Sequence, residues 1–152
     1  MDALETLLAR TAIAEVKARY CRCLDTRDWD GFGAVFTDDA VMDVRDDTGA
    51  EPFHGRALIV DTVRAVVTGA KSVHQVHSPE ISFDGADAAD VIWPMHDRLV
   101  WTDAPSPIPP VSAITGYGHY HERYVRAGGQ WRIASLRLTR LLVEMSPQPK
   151  AL

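Results

Sequence analysis

Two charged residues interrupt rows that are otherwise apolar, and they frame the chemistry this 152-residue chain could perform. Under the two-residue period of a strand, Val91, Trp93, Met95, Asp97, Leu99 and Trp101 share one face, and only Asp97 is charged. Further on, Leu136, Leu138, Arg140 and Leu142 share a face that Arg140 interrupts. Burial of either charge without a partner is costly. A carboxylate and a guanidinium turned to one interior have two uses. They form a structural ion pair, or they line a cavity in which the arginine meets a substrate anion or a developing oxyanion.

Six histidines are the next candidates. His74 and His77 fall in one predicted strand, where a spacing of three puts them on opposite faces, so at most one points inward. An inward imidazole is either a hydrogen-bonded core residue or a general base suited to neutral pH. His119 and His121 share a face with Arg123, which points them to solvent. No HExxH, CxxC or third ligand accompanies them, so no metal site is expected. Tyr20 lies on the apolar stripe of a predicted helix, and Asp25 follows where that stripe stops. A carboxylate beside a helix C-terminus is not favoured by the dipole, so capping does not account for Asp25. Cys21 and Cys23 lie in the same helix without an activating base, which argues against a nucleophilic thiol. There is no GxSxG elbow, no GxxxxGK[ST] loop and no GxGxxG after a strand.

The elements that must position these residues are readable from periodicity. Leu4, Leu8, Ile13, Val16, Tyr20 and Leu24 trace a long amphipathic helix. Thr26 or Asp28 can cap a short second helix carrying Trp29, Phe32 and Phe36 on one face. A strand is expected from Ala40 to Arg45, with a hairpin turn at Asp46-Asp47-Thr48-Gly49, then a third helix from Ala57 to Val67. Strands follow over Ser72–Phe83, Ala88–Trp101, Ile114–Val125 and Trp131–Val143, with a proline-rich loop at Asp103–Pro110. Helices first and long antiparallel strands after them give an α+β class. One domain over residues 1–145 and a loose tail over 146–152 are expected.

Composition narrows the function classes. Sixteen basic against 21 acidic residues give a net charge of −5 without a basic block, so nucleic acid is not an expected partner. No apolar run approaches the ~20 residues of a membrane span. Two cysteines make no disulfide framework, and Met1 to Glu5 has no signal-peptide character. A cytoplasmic location is the expectation.

Taken together, the segments resemble the SnoaL-like branch of the nuclear transport factor 2-like superfamily from about Leu7 to Val143. The carriers are Ala12-Ile13 to Tyr20, Leu24-Asp25, Asp28-Trp29-Asp30-Gly31-Phe32 and Phe36-Thr37-Asp38-Asp39-Ala40. Phe53-His54-Gly55-Arg56, His74 with Pro79-Glu80-Ile81, and Tyr120, Tyr124, Gly129, Trp131-Arg132-Ile133 and Leu138-Thr139-Arg140 complete the pattern. The resemblance implies a cone-shaped, curved, mostly antiparallel sheet wrapped around N-terminal helices and enclosing an apolar pocket. In the dehydratase and dehydrochlorinase branches an Asp just after the first helix orients a His on the third strand. By position these fall on Asp25 and His74. A catalytic helix tyrosine falls on Tyr20, a final-strand arginine on Arg140, and a functional acid of the fourth strand on Asp97. Trp29, Trp93, Met95, Tyr120, Leu136 and Leu138 are then expected to contact substrate.

The implied activity is elimination of water, without a cofactor, from a hydrophobic molecule of cyclic, polyketide or steroid-like type. His74 would remove a proton α to a carbonyl, Tyr20 would bind the enolate oxygen, and Arg140 would assist the leaving group or anchor an acidic tail. The alternatives are isomerisation or cyclisation through the same enolising step, and a non-catalytic binding or assembly module. A small hydrophobic substrate and a second copy of the chain, in a homodimer or higher homo-oligomer through the outer sheet face with Tyr117, Val125 and Ile133, are the expected partners.

Overall fold

The structure, a computed structural model, describes residues 1–103, 106–107 and 111–147. Among them, helices precede or interleave with strands in the order α1 (Ala3–Thr26), α2 (Trp29–Ala34), β1 (Phe36–Asp43), α3 (Arg45–Thr48), β2 (Phe53–His54) and α4 (Arg56–Val67), then β3 (Lys71–Val76), β4 (Glu80–Phe83), β5 (Ala88–Val100), β6 (Val111–Ala127) and β7 (Gln130–Pro147). One sheet runs β2-β1-β7-β6-β5-β3, with β4 also paired to β5. Among the described residues only β1 and β7 pair in parallel, so the sheet is mixed and mostly antiparallel, as expected for the α+β class. No helix among the described residues is long and apolar enough to cross a membrane.

The long α1 starts from a capping box, with the Asp2 side chain accepting from the Glu5 N–H and Glu5 reaching back to the Asp2 N–H. Its inner stripe of Ile13, Val16, Tyr20 and Leu24 is buried against the sheet. The helix runs on to Thr26, so Asp25 sits in its last turn and not beyond it. Asp28 caps α2 by accepting from the Gly31 N–H at 2.9 Å.

Several predicted boundaries shift for local reasons. The segment at Asp46–Gly49 is a single helical turn, α3, closed by Gly49 at φ +66°, and the return strand β2 begins only at Phe53. The strand expected over Ser72–Phe83 is two strands, broken ahead of Pro79, which has no N–H to give to a ladder. Both pieces lie along one edge of β5. Strand β7 continues through Ser146 and Pro147, two residues into the expected tail, and 148–152 lie outside the described residues. Most of the proline-rich loop, 104–105 and 108–110, lies outside them too.

The inner face of β5 is buried throughout from Val91 to Leu99, as is Trp101 just past its end, as the alternation predicts. Ile133, expected on the outer face, is instead wholly buried in the core, because its partner across β6–β7 is the inward Tyr124. Tyr117 does lie outside, exposed and stacked on His96.

Candidate active site

Sheet register assembles the site. Along β3 and β5, His74 stands directly opposite Asp97, and Asp97 stands opposite Gly116 on β6. Gly118, two residues on, pairs with Arg140 of β7. Gly116 has no side chain to fill the space between Asp97 and Arg140. A Cβ there would collide with Arg140 Nη1 and Asp97 Oδ1. The guanidinium therefore reaches across the gap, and Arg140 Nη1 and Nη2 donate to Asp97 Oδ1 and Oδ2 at 3.0 and 2.9 Å.

The other half of the site joins the end of α1 to β3. His74 Nδ1 lies 2.7 Å from Asp25 Oδ1, and the His74 backbone N–H donates to Asp25 Oδ2 at 2.8 Å. The Ser72 hydroxyl donates to Asp25 Oδ1 at 2.9 Å. A carboxylate can only accept, so Nδ1 carries the proton and Nε2 is left with its lone pair. The charge of Asp25 opposes the helix dipole, and Arg27 offsets that opposition. Arg27, in a left-handed C-cap conformation at φ +63°, donates through Nη1 to the carbonyls of Leu24 and Asp25 and to Ser72 Oγ. Its Nη2 donates to the Ala70 carbonyl. Arg27 thus ties the helix end to the start of β3, a role no feature of its sequence neighbourhood announced.

His74, Asp97 and Arg140 line a cavity of about 210 Å³. Tyr20, Tyr120, Leu136 and Leu138 line it too, with Leu24, Met42, Phe53, Val63, Val67 and Trp101 supplying much of its apolar wall. Asp25 stands behind His74 and does not line the cavity itself. Three expected contact residues lie elsewhere. Trp93 and Met95 are buried in the core on the inner face of β5, which borders the cavity only from Asp97 onward. Trp29 turns outward on α2, edge-on to Phe32 and beneath the Arg64 guanidinium.

Val143 and Met145 line the cavity instead of Leu142, which is exposed. The register slips at this point: Tyr117 pairs with Leu142 and Gly118 with Arg140, leaving Leu141 unpaired and three-quarters exposed. Such a bulge reverses the alternation beyond it, which a strict period of two cannot anticipate.

A second buried charge pair supports the wall. Lys17 and Glu122, both fully buried, meet at 2.6 Å. The Tyr124 hydroxyl donates to Glu122 at 2.7 Å. The Lys17 ammonium lies 3.7 Å from the ring centres of both Tyr20 and Tyr120. These two tyrosine rings pack edge to face with their centres 5.9 Å apart. Burial, with the negative charge of Glu122, pushes the Tyr20 hydroxyl well above the usual tyrosine range, and burial does the same to Tyr120. Both stay neutral donors at any physiological pH. Sequence reasoning missed Lys17 and Glu122, yet the signal was present. Lys17 lies on the α1 stripe between Ile13 and Tyr20, and Glu122 interrupts the inward row Tyr120–Tyr124 as Asp97 does its own.

The remaining candidates stay apart from the cavity. Burial pushes the Cys21 thiol up to about 11, which leaves it a thiol and not a nucleophile. His119 and His121 have ring centres 6.2 Å apart, with His121 Nε2 3.0 Å from Thr139 Oγ1. Among the described residues, no group of three His, Cys, Asp or Glu side chains is placed to hold a metal ion.

Comparisons with known proteins fit this geometry. A family model described as a SnoaL-like domain matches residues 5–137. A protein of Gibberella zeae named as a probable cyclase is 26% identical over 141 residues, covering 88% of this chain and 91% of that protein. Two solved structures establish the fold. A protein from Novosphingobium aromaticivorans, named as a candidate scytalone dehydratase, matches with a TM-score of 0.81 at 19% identity, covering 97% of each chain. A type 2 hexachlorocyclohexane dehydrochlorinase matches with a TM-score of 0.80 at 17% identity, covering 99% of this chain and 97% of that one.

Proposed function

The chain belongs to the SnoaL-like domain family, with the nuclear transport factor 2-like α+β cone, and on that premise we propose that it is a cofactor-independent lyase of the dehydratase type. Its substrate is a small hydrophobic carbonyl compound bearing a β-hydroxyl. The observation that carries this reading is the Asp25–His74 dyad at the wall of a mostly apolar cavity.

The chemistry follows from the positions of the donors. His74 Nε2 removes the proton α to the carbonyl, and Asp25 stabilises the imidazolium that forms. Tyr20 and Tyr120, held neutral, donate to the carbonyl oxygen as it gains negative charge. The imidazolium then returns its proton to the β-hydroxyl on the same face. The C–O bond breaks, a C=C bond forms, and water leaves. The apolar wall excludes bulk water from the enolate while it exists.

The same enolising step serves ring closure, and the Gibberella zeae relative named as a probable cyclase favours that second reading. The two outcomes separate by mass. Incubation with a panel of hydrophobic β-hydroxy ketones, including linear polyketide-like ones, is expected to give a product 18 Da lighter. A product of unchanged mass with a new ring supports cyclisation. Return of every compound unchanged, although bound in the cavity, would make the chain a carrier.

A further inference from the structure

The sequence left Arg140 either in a structural ion pair or turned to a substrate anion, and its hydrogen bonds form the ion pair. A guanidinium has five N–H donors. Nε donates to Asp47 Oδ1 at 2.7 Å and Nη2 to Asp47 Oδ2 at 2.8 Å. Nη2 also donates to Asp97 Oδ2, and Nη1 to Asp97 Oδ1 and, at 3.5 Å, to the Met95 sulfur. All five are engaged. Burial alone would lower the pKa of this guanidinium, but its bonds to Asp47 and Asp97 raise it instead, so it stays charged and held.

The two carboxylates differ in what holds them. Asp97 is 5% exposed and built into the middle of the sheet, whereas the Asp47 side chain is 31% exposed. Asp47 belongs to α3, which buries none of its residues and is tied to β7 through Arg140. Asp46 of the same turn accepts from the Arg140 backbone N–H at 3.2 Å. Asp47 and Thr48 border the cavity. The wall therefore carries two carboxylates against one guanidinium, with the Asp25 carboxylate behind His74.

We propose that Asp47 is a specificity residue: by covering the Nε edge of Arg140 it makes the cavity accept uncharged molecules and refuse carboxylates of the same shape. An entering carboxylate finds no free donor on Arg140 and meets a wall of net negative charge. Removal of Asp47 exposes two parallel N–H donors, the edge with which arginine takes a carboxylate in bidentate fashion. This rests on the proposed function only in taking this cavity as the ligand site.

The test uses 2-naphthamide and 2-naphthoate, which differ in charge and hardly in shape, with binding followed by calorimetry. The wild-type protein is expected to bind the amide at least tenfold more tightly than the acid. In Asp47→Ala the acid is expected to gain at least tenfold, while the amide changes less than threefold. Asp47→Asn, which keeps the shape of the side chain, is expected to fall between, and circular dichroism checks that both variants fold. Equal wild-type affinity for the two probes, an unchanged ratio in Asp47→Ala, or binding of neither probe by any of the three proteins overturns the proposal. His74→Ala keeps the discrimination under this account. The assay therefore gives its answer even if no compound is ever turned over.

Discussion

Asp25→Asn lowers turnover by about 10³- to 10⁴-fold, the scale on which a wrong imidazole tautomer disables a base. The carboxylate only accepts, and it fixes the proton of His74 on Nδ1. An asparagine of the same shape can turn its amide N–H toward Nδ1. The proton then moves to Nε2, and the nitrogen left for the cavity becomes a donor where the reaction needs an acceptor. The asparagine oxygen still accepts from the His74 backbone N–H, now 2.8 Å from Asp25 Oδ2, so the joint between α1 and β3 survives. Unchanged circular dichroism and thermal midpoint, with kcat lost and KM little altered, is the expected result. A variant within threefold of wild type would show that the orientation of His74 is not what Asp25 provides.

Lys17→Met is expected to cost about 3–5 kcal/mol of stability, because it leaves the Glu122 carboxylate buried without its cation. Both side chains are wholly inaccessible, so no water can replace the lost partner. In a domain of this size that loss lowers the thermal midpoint by on the order of 10 °C. The double variant Lys17→Met/Glu122→Gln is expected to recover much of it, since a neutral amide needs no counterion and can still accept from the Tyr124 hydroxyl. Thermal unfolding of the two variants side by side checks both statements. If the double variant is no more stable than Lys17→Met, the cost lies in packing around the Tyr20 and Tyr120 rings and not in the stranded charge.

How far the sequence reaches is clearest where one rule succeeded and then failed within a single strand. A period of two correctly grouped Asp97 with its apolar neighbours on β5 and put Leu136, Leu138 and Arg140 on the inner face of β7. It failed past Arg140, where the bulge at Leu141 exchanges the faces and turns Val143 and Met145 inward. A bulge depends on how two strands pair, and that pairing is a tertiary fact. The histidines divide in the same way. Periodicity allowed only one of His74 and His77 to face inward without saying which, and the family resemblance selected His74. In the structure β3 stops at Val76, His74 lines the cavity and His77 is exposed.

Asp47 had the least legible role. Asp46-Asp47-Thr48-Gly49 carries every mark of a solvated turn, and the turn is present. Its use as a clamp on Arg140 comes from residues 93 positions apart meeting across the cavity mouth. The same limit applies to Arg27, whose hydrogen bonds reach Ser72 of β3 and Ala70 just ahead of that strand. Local patterning decides which face a residue takes. It does not say which other element will face it.

The central claim is that His74 removes a proton α to a carbonyl, and proton exchange tests it without knowledge of the natural substrate. The probe is 2-tetralone, a neutral bicyclic ketone, dissolved in deuterated buffer with the wild-type protein or with His74→Ala. Proton NMR reads the loss of its α-proton signals. Wild type is expected to accelerate the exchange well above buffer, and His74→Ala to reduce that acceleration at least a hundredfold while still binding the ketone. Exchange in His74→Ala within threefold of wild type would contradict the account, because the base would then be another group.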